Sequence, residues 1–297
     1  MRRVFLLVVV LVAAIRVVCA QERPVMSAGD ALALPRPEAQ HRIAYGPGPQ
    51  QFGELRLPDG AGPHPVLVVV HGGCWLAEYD LGYMSSLAAA LTADGVATWS
   101  IEYRRVGDDG GGWPGTFDDV GAAADHLRVI AAEHKLDLER VVAVGHSAGG
   151  HLALWLAARH GLSVNDGFRG TAPLELSGVV SLAGIPDLAA FVSSEGCGAA
   201  IPGLLGGRPA DHPERVRRAS PIEMVPLGLP QILVVGALDP IVPRAQADGY
   251  IAAAVRAGET VGLKEIAGAG HFELVDPASD AWPAVRAAVL ETLSSAD

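Results

Sequence analysis

The sequence predicts an α/β fold with a mostly parallel, twisted sheet and helices on both faces. Three observations support this fold class. Continuous apolar or β-branched runs recur at 66–70, 141–144 and 232–235, as expected for parallel strands that are buried on both faces. Helix-compatible segments separate these runs along the chain. Between residues 141 and 160, an apolar run, a tight glycine turn and a helical segment follow one another directly.

From residue 51 onward, strand and helix signals alternate in the order that a parallel sheet requires. Strands are favoured by β-branched runs, and the predicted strands are 51–58, 66–70, 96–101, 140–144, 178–183, 232–236 and 261–266. Helices are favoured by apolar stripes such as Val120, Leu127 and Ile130, and the predicted helices are 83–94, 118–134 and 148–160. Residues 21–50 are rich in proline and glycine and predict an extended N-terminal lead-in.

The alternation stops between residues 186 and 228, where prolines and glycines accumulate. Long connections inside compact domains usually have a function, so this segment is predicted to be a small lid insertion over the site; a plain connection is the alternative. The segment also holds apolar residues with no strand or long helix to belong to. We expect several of these residues to line a small pocket: Leu188, Phe191, Ile201, Leu204 and Leu205.

Length and charge narrow the function classes. With 297 residues, half of them hydrophobic, the chain can bury one large core, and we predict a single domain over 51–297. The formal net charge of −11 argues against a nucleic-acid partner, which requires a basic surface. No cysteine or histidine spacing typical of a metal site occurs in the sequence, so neither a metal nor another cofactor is predicted.

The first twenty residues have the layout of a secretory signal peptide. Arg2 and Arg3 precede an apolar stretch over 4–15, and small residues near position 20 provide a cleavage site before Gln21. We therefore expect a secreted or periplasmic protein without a stable membrane partner. An uncleaved membrane anchor is the alternative, although Arg16 interrupts the apolar stretch.

Cys74 and Cys197 are the two cysteines that follow this segment. In an oxidising compartment they can pair, but their spacing alone does not decide whether they meet. For Cys74, the favoured interpretation is a small, buried, apolar side chain.

The most informative motif is Gly-His-Ser-Ala-Gly at 145–149, directly after the apolar run 141–144. A strand, a tight turn and a helix in this order lift the central serine hydroxyl above the sheet edge, which predicts Ser147 as a nucleophile. The alternative is a turn serine that only caps the following helix. His146 is interpreted as structural, because neighbours across the turn apex point apart.

A second motif, His-Gly-Gly-Cys-Trp, follows the predicted strand 66–70. Glycines leave backbone N–H groups uncovered, and such groups can stabilise a developing negative oxygen. The N–H groups of Gly73, Cys74 and Ala148 are predicted to form this oxyanion hole, with Gly72 as a possible replacement for one of them. Trp75 is predicted to contact substrate, and ordinary packing is the alternative for its ring.

Two further residues complete a serine hydrolase set. Asp239 follows the predicted strand 232–236, and His271 follows the last predicted strand. The chain order serine, aspartate, histidine predicts His271 as the general base and Asp239 as the carboxylate that orients it. Glu273 and Asp276 are the rival carboxylates, but both lie too near His271 to belong to the preceding strand end.

Together these motifs resemble the α/β-hydrolase superfamily, of the esterase or lipase type with an H-G-G-x-W oxyanion motif. The segments Ile-Glu-Tyr-Arg at 101–104 and Phe-Asp-Asp-Val at 117–120 make the chain similar to the branch of kynurenine-formamidase-like and feruloyl-esterase-like proteins. The resemblance covers roughly residues 50–295 and implies the α/β-hydrolase fold. Cys74 departs from it, because many members of the superfamily have a third glycine there.

The resemblance implies a serine hydrolase that cleaves small carboxylic esters through an acyl-enzyme intermediate. An amide or formamide hydrolase is the alternative, because the same residues can perform both reactions. The predicted signal peptide argues against kynurenine formamidase, since that reaction serves intracellular tryptophan breakdown. A non-catalytic binding protein on a hydrolase scaffold is a more remote alternative.

Overall fold

The computed structural model describes residues 25–170, 172–193 and 196–295, and the predicted signal peptide over 1–20 lies outside these residues. Within them, one eight-stranded sheet forms the centre of the molecule. Its strands are β1 (His41–Ala44), β2 (Phe52–Arg56), β3 (His64–Val70), β4 (Ala97–Ile101), β5 (Leu136–His146), β6 (Gly178–Leu182), β7 (Gln231–Gly236) and β8 (Gly262–Ile266). The spatial order is β1-β2-β4-β3-β5-β6-β7-β8.

Strand direction follows the predicted fold class. The two pairs at one edge of the sheet, β1 with β2 and β2 with β4, are antiparallel, whereas every neighbouring pair from β4 to β8 is parallel. The parallel strands therefore end at one common edge, where an open α/β sheet usually binds its ligand. All seven predicted strands are present.

Helices cover both faces of the sheet. They are α1 (Ala28–Leu32), α2 (Ser85–Ala93), α3 (Gly115–Asp125), α4 (Leu127–His134), α5 (Ala148–Ala158), α6 (Leu188–Phe191), α7 (Ile201–Leu205), α8 (Pro213–Ala219), α9 (Ala245–Arg256) and α10 (Trp282–Ser294). The single helix predicted over 118–134 is divided into α3 and α4 next to His126. None of the helices in the described ranges combines the length and apolar character needed to cross a lipid bilayer.

Alternating side chains of the central strands build two hydrophobic clusters. In β3, Val66, Val68 and Val70 belong to one cluster, and Leu67 and Val69 belong to the other. This alternation is the period of two that a strand imposes, and burial of both sets explains the continuous apolar run. Every residue of α5 is buried, which fits a helix packed beneath a site at the end of β5.

The N-terminal lead-in is more structured than the sequence predicted. Ser27 caps α1 in a reciprocal capping box with Asp30, and β1 pairs with β2 at the edge of the sheet. The Ser-x-x-Asp spacing was a usable helix signal. Strand β1 had no such signal in the sequence. Three of its four residues are exposed, and these are polar or small, so they form no apolar pattern.

The segment 186–228 also differs from the prediction. Leu188, Ile201, Leu204 and Leu205 are completely buried in the larger hydrophobic cluster, and Phe191 packs against it. The expectation that they line the pocket was wrong, because this segment packs against α5 and fills the core there. Two side chains of α5 hold it: the Trp155 indole N–H donates to the Arg218 carbonyl, and His151 Nε2 donates to the Ala219 carbonyl.

Candidate active site

The predicted site residues come from four loops at the carboxyl edge of the parallel strands. Gly73 and Cys74 follow β3, Ser147 follows β5, Asp239 follows β7 and His271 follows β8. Residues that are far apart in sequence meet here because parallel strands place their carboxyl ends side by side. Except for Asp239, all of these residues line one cavity.

Ser147 occupies the apex of a sharp turn between β5 and α5. Its backbone has φ 57° and ψ −121°, a conformation that costs of the order of 1–3 kcal/mol for a residue with a side chain. A Cβ atom added to Gly145 would strike the Gly149 carbonyl oxygen, so the turn requires glycine at its entrance. The Ser147 N–H donates to the Leu182 carbonyl at 2.8 Å, which ties the turn to β6.

His271 and Asp239 form a short hydrogen bond, with 2.7 Å between His271 Nδ1 and Asp239 Oδ2. A carboxylate only accepts, so Nδ1 carries the proton and Nε2 is the nitrogen that can take another. Asp239 Oδ1 accepts from the N–H groups of Ile241 and Val242 at 2.7 and 2.9 Å, which fixes the carboxylate. Among the described residues, the Ser147 hydroxyl makes no hydrogen bond to His271; such bonds often tighten only with substrate in place.

The rival carboxylates have other partners. Glu273 accepts from the N–H groups of Gly270 and Met26, and Asp276 accepts from the Ala278 N–H. Neither is hydrogen-bonded to the imidazole of His271 in the described part of the chain. The structure therefore brings Asp239, the predicted residue, to His271.

The predicted oxyanion donors have the required freedom. Within the described residues, the N–H groups of Gly73, Cys74 and Ala148 have no hydrogen-bond acceptor, so they are available to a substrate oxygen. Gly72 does not qualify, because its N–H donates to the Tyr83 hydroxyl oxygen at 2.6 Å. Positive φ angles at Gly73 and Cys74, 94° and 53°, give the loop its turn.

Trp75 does not contact the cavity, so its predicted role in substrate binding is corrected. Its side chain is completely buried, and its indole N–H donates to His151 Nδ1 at 3.1 Å. The backbone of Trp75 is left-handed, with φ 58°, and this turns the ring beneath the loop into the core. The ring therefore supports the oxyanion loop from below.

Cys74 and Cys197 form a disulfide, with their Cα atoms 4.8 Å apart. The interpretation of Cys74 as a simple apolar side chain was therefore wrong, and the alternative of pairing applies. Spacing could not reveal this, since 123 residues separate the two positions and only the fold brings them together. Cys197 is the one residue of the segment 186–228 that lines the cavity, within the residues described there.

The cavity has a volume of about 120 Å³. Its lining combines the reacting groups with mostly apolar side chains: Ala28, Ala31, Leu32, Gly73, Cys74, Tyr79, Tyr83, His146, Ser147, Cys197, Ile241, His271 and Phe272. The space beside Ser147 is small and mostly apolar, which suits a short acyl group.

Helix α1 forms a wall that sequence reasoning missed. Ala28, Ala31 and Leu32 project into the cavity from the segment predicted as an extended lead-in. Two contacts hold this segment: Met26 N–H donates to Glu273, and the Ser86 hydroxyl donates to the Pro35 carbonyl at 2.7 Å. The N-terminal segment thus performs part of the role that was predicted for residues 186–228.

A buried ionic cluster supports the oxyanion loop. His71 Nε2 lies 2.9 Å from Glu102 Oε1, and Arg105 lies 3.1 Å from the same carboxylate. Burial raises the pKa of Glu102, but the charges of His71 and Arg105 outweigh this and hold the pKa below its usual value. Glu102 also accepts from the Leu81 N–H at 3.2 Å, which links the loop to the start of the next helix. No group of three or more potential metal ligands occurs among the described residues.

Comparisons with known proteins identify the family to which the chain belongs. The BD-FAE family model matches residues 54–252. Esterase LipC of Mycobacterium tuberculosis is 31% identical over 260 residues, which cover 80% of this chain and 61% of that protein. Esterase LipQ of the same organism is 32% identical over 248 residues, covering 78% of this chain and 57% of LipQ. The chain thus spans about three fifths of the length of these curated relatives.

Solved structures share the architecture. Esterase B from Lactobacillus rhamnosis superposes with a TM-score of 0.76 at 18% identity, covering 90% of this chain and 91% of that one. A truncated carbohydrate esterase from gut microbiota superposes with a TM-score of 0.72 at 23% identity, covering 85% and 95%. Because the family model matches about two thirds of the sequence, this chain belongs to the BD-FAE family, and it has the α/β-hydrolase fold.

Proposed function

We propose that the protein is a serine hydrolase that cleaves small carboxylic esters through an acyl-enzyme intermediate. The observation that carries this proposal is the 2.7 Å hydrogen bond between His271 Nδ1 and Asp239 Oδ2, beside a cavity that His271 shares with the strained Ser147. A serine that only caps a helix does not require a histidine–aspartate pair beside it, and neither does a non-catalytic binding protein. The esterase names of LipC and LipQ support the same reaction class.

The chemistry follows from the available atoms. Ser147 Oγ attacks the ester carbonyl carbon, and its proton passes to His271 Nε2. The carbonyl oxygen becomes an oxyanion that the N–H groups of Gly73, Cys74 and Ala148 stabilise, each contributing about 3 kcal/mol to the transition state. When the tetrahedral intermediate collapses, the C–O bond breaks and the alcohol leaves with the proton from His271. In the second half of the reaction, water gives a proton to His271 and attacks the acyl-enzyme carbonyl carbon. The bond to Ser147 Oγ then breaks, the proton returns to Ser147 and the acid is released.

The cavity favours small substrates. Apart from the reacting groups, its lining is mostly apolar, and its volume of about 120 Å³ admits a short acyl group. Small carboxylic esters and small formamides both fit a cavity of this size and apolar character. A panel of p-nitrophenyl esters assayed beside N-formylkynurenine separates the two, and we expect hydrolysis of acetate and butyrate esters and little release from the formamide.

The test of the mechanism is Ser147→Ala with Ser163→Ala, an exposed serine, as its matched control. Ser147→Ala should abolish labelling by a fluorophosphonate probe and lower kcat by up to about a million-fold, since the triad residues act as a unit. Ser163→Ala should leave both unchanged. Near-normal turnover by a clean preparation of Ser147→Ala would reject the proposal.

We also propose that the protein works outside the cytoplasm. The predicted signal peptide is the first support, and the Cys74–Cys197 disulfide is the second, because stable disulfides are typical of oxidising compartments. Fractionation of cells that express the full chain, with N-terminal sequencing of the exported protein, tests this. Export with Gln21 at the N-terminus is expected, and an intact N-terminus in the cytoplasm would contradict it.

A further inference from the structure

Tyr83 and His146 form a continuous hydrogen-bonded bridge in the wall of the cavity, between the oxyanion loop and the backbone of His271. Gly72 N–H lies 2.6 Å from the Tyr83 hydroxyl oxygen, and that oxygen lies 3.1 Å from His146 Nδ1. His146 Nε2 lies 3.0 Å from the His271 carbonyl oxygen. The side chain of His146 is completely buried and that of Tyr83 almost so. We call these two side chains the Tyr83–His146 bridge.

The direction of every hydrogen bond in the bridge is determined. The His271 carbonyl can only accept, so His146 Nε2 carries the proton. Burial, and secondarily the positive charge that His271 carries whenever it is protonated, holds the pKa of His146 well below its ordinary value, so the His146 ring is neutral and its Nδ1 accepts. The Tyr83 hydroxyl therefore donates to Nδ1 and accepts from the Gly72 N–H. Burial raises the pKa of Tyr83, which keeps its proton in place.

Backbone packing gives independent support for this connection. A Cβ atom added to Gly72 would collide with the His146 carbonyl oxygen and would lie 3.0 Å from Ser147 Cβ. The oxyanion loop and the nucleophile turn thus meet without a gap at the bridge. The rings of His146 and His271 also pack together, with their centroids 4.5 Å apart.

From this arrangement we infer that Tyr83 and His146 are positioning residues for ester hydrolysis, which fix the oxyanion donors relative to the general base. Gly72 is one residue before Gly73 and two before Cys74, so a shift of Gly72 moves the donors. A shift of the His271 backbone moves its imidazole. Neither bridge side chain needs to touch the reacting atoms, because displacements of about 1 Å at such a distance can cost roughly a hundredfold in rate. The inference rests on the proposed function.

The test uses Tyr83→Phe, His146→Leu, His146→Gln and the double variant Tyr83→Phe/His146→Leu in the full-length protein. Steady-state kinetics with p-nitrophenyl acetate give kcat and KM, and the pre-steady-state burst gives the acylation rate. Tyr83→Phe should lower kcat and the acylation rate about tenfold with KM within about twofold, because only the geometry of the transition state changes.

Two comparisons distinguish positioning from packing. A glutamine amide has one donor and one acceptor, as neutral imidazole has, so His146→Gln should retain most of the activity that His146→Leu loses. If the bridge acts as one unit, the double variant should be no slower than the slower single variant. Tyr250→Phe is the matched control, since it removes another buried hydroxyl, which donates to Gln231 at 2.6 Å far from the cavity.

The inference is overturned if Tyr83→Phe keeps its acylation rate, if the losses of the two single variants add, or if His146→Gln is as slow as His146→Leu. Should the His146 variants not fold, the contrast between Tyr83→Phe and Tyr250→Phe still decides it: equal kcat values would reject positioning. Failure of the proposed function looks different, because Ser147→Ala would then retain ester hydrolysis whatever the bridge variants do.

Discussion

Cys74 and Cys197 are joined by a disulfide that forms part of the wall of the cavity containing Ser147. The bond connects the oxyanion loop after β3 to the segment after β6. It therefore joins two loops that are far apart in sequence. Cys74 also supplies one of the proposed oxyanion donors. A covalent bond therefore restrains a residue whose backbone N–H must point at the substrate.

Removing the disulfide should destabilise the protein. We expect the double variant Cys74→Ser/Cys197→Ser to lose about 2–4 kcal/mol of unfolding free energy, because the bond closes a long loop in the unfolded chain. Urea denaturation with and without reductant measures this, and the double variant serves as the control because reductant should not affect it. Thiol titration in denaturant should find two additional thiols after reduction; finding none would contradict the assignment.

Asp239→Asn should lower kcat by about a thousandfold to ten-thousandfold, with little change in KM. The asparagine amide can donate to His271 Nδ1, which stabilises the tautomer with its proton on Nε2. In that tautomer Nε2 cannot accept the Ser147 proton. Steady-state kinetics on a short p-nitrophenyl ester measures the effect. Asp276→Asn is the matched control, since this rival carboxylate only caps a nearby turn and its loss should leave kcat nearly unchanged. A larger loss for Asp276→Asn than for Asp239→Asn would reverse the assignment.

The buried His151 should make stability depend on pH. Burial lowers the pKa of His151 from 6.5 to about 4, and the hydrogen bond to the Ala219 carbonyl opposes this shift only in part. Above pH 6.5 the His151 ring is neutral in both the folded and the unfolded state. As pH falls towards 4, the unfolded chain binds a proton that the folded protein does not, so stability decreases by about 2–3 kcal/mol.

His151→Gln isolates this effect, because glutamine keeps one donor and one acceptor but does not titrate. Denaturation at pH 7 and pH 4.5 should show a smaller loss of stability in the variant than in the unmodified protein. His146 and the carboxylates contribute equally to the pH dependence of stability in both proteins, so their contributions cancel in the comparison. The same loss in both proteins would show that His151 titrates normally in the fold.

Acyl-chain preference should follow the size of the cavity. We expect p-nitrophenyl acetate and butyrate to have kcat/KM values at least about tenfold above those of esters with ten or more carbons. Leu32→Ala removes part of the wall formed by α1, so it should raise kcat/KM for hexanoate relative to acetate. Val129→Ala, on an exposed face of α4, is the control that should not change the ratio. Faster cleavage of long-chain esters by the unmodified protein would refute the small cavity.

The amino-acid sequence by itself determined seven of the eight described strands, the order of the motifs and the loops that hold the predicted reacting residues. Runs such as 66–70 are apolar at every position because both faces of a central strand are buried, and this signal is local. The turn at Ser147 is also local, since small residues must flank it. Loops that follow parallel strands lie at one edge of the sheet, so the order of the motifs along the chain is enough to place Asp239 and His271 at the edge that also holds Ser147.

Only the tertiary structure decided what surrounds those residues. The pairing of Cys74 with Cys197 depends on a distance across 123 residues, which no spacing rule contains. Trp75 turns into the core and Leu204 fills it, although both could equally have lined a pocket, because apolar composition specifies burial and not the place of burial. Tyr83 and α1 reach the cavity through packing between distant segments, and such packing leaves no pattern along the chain.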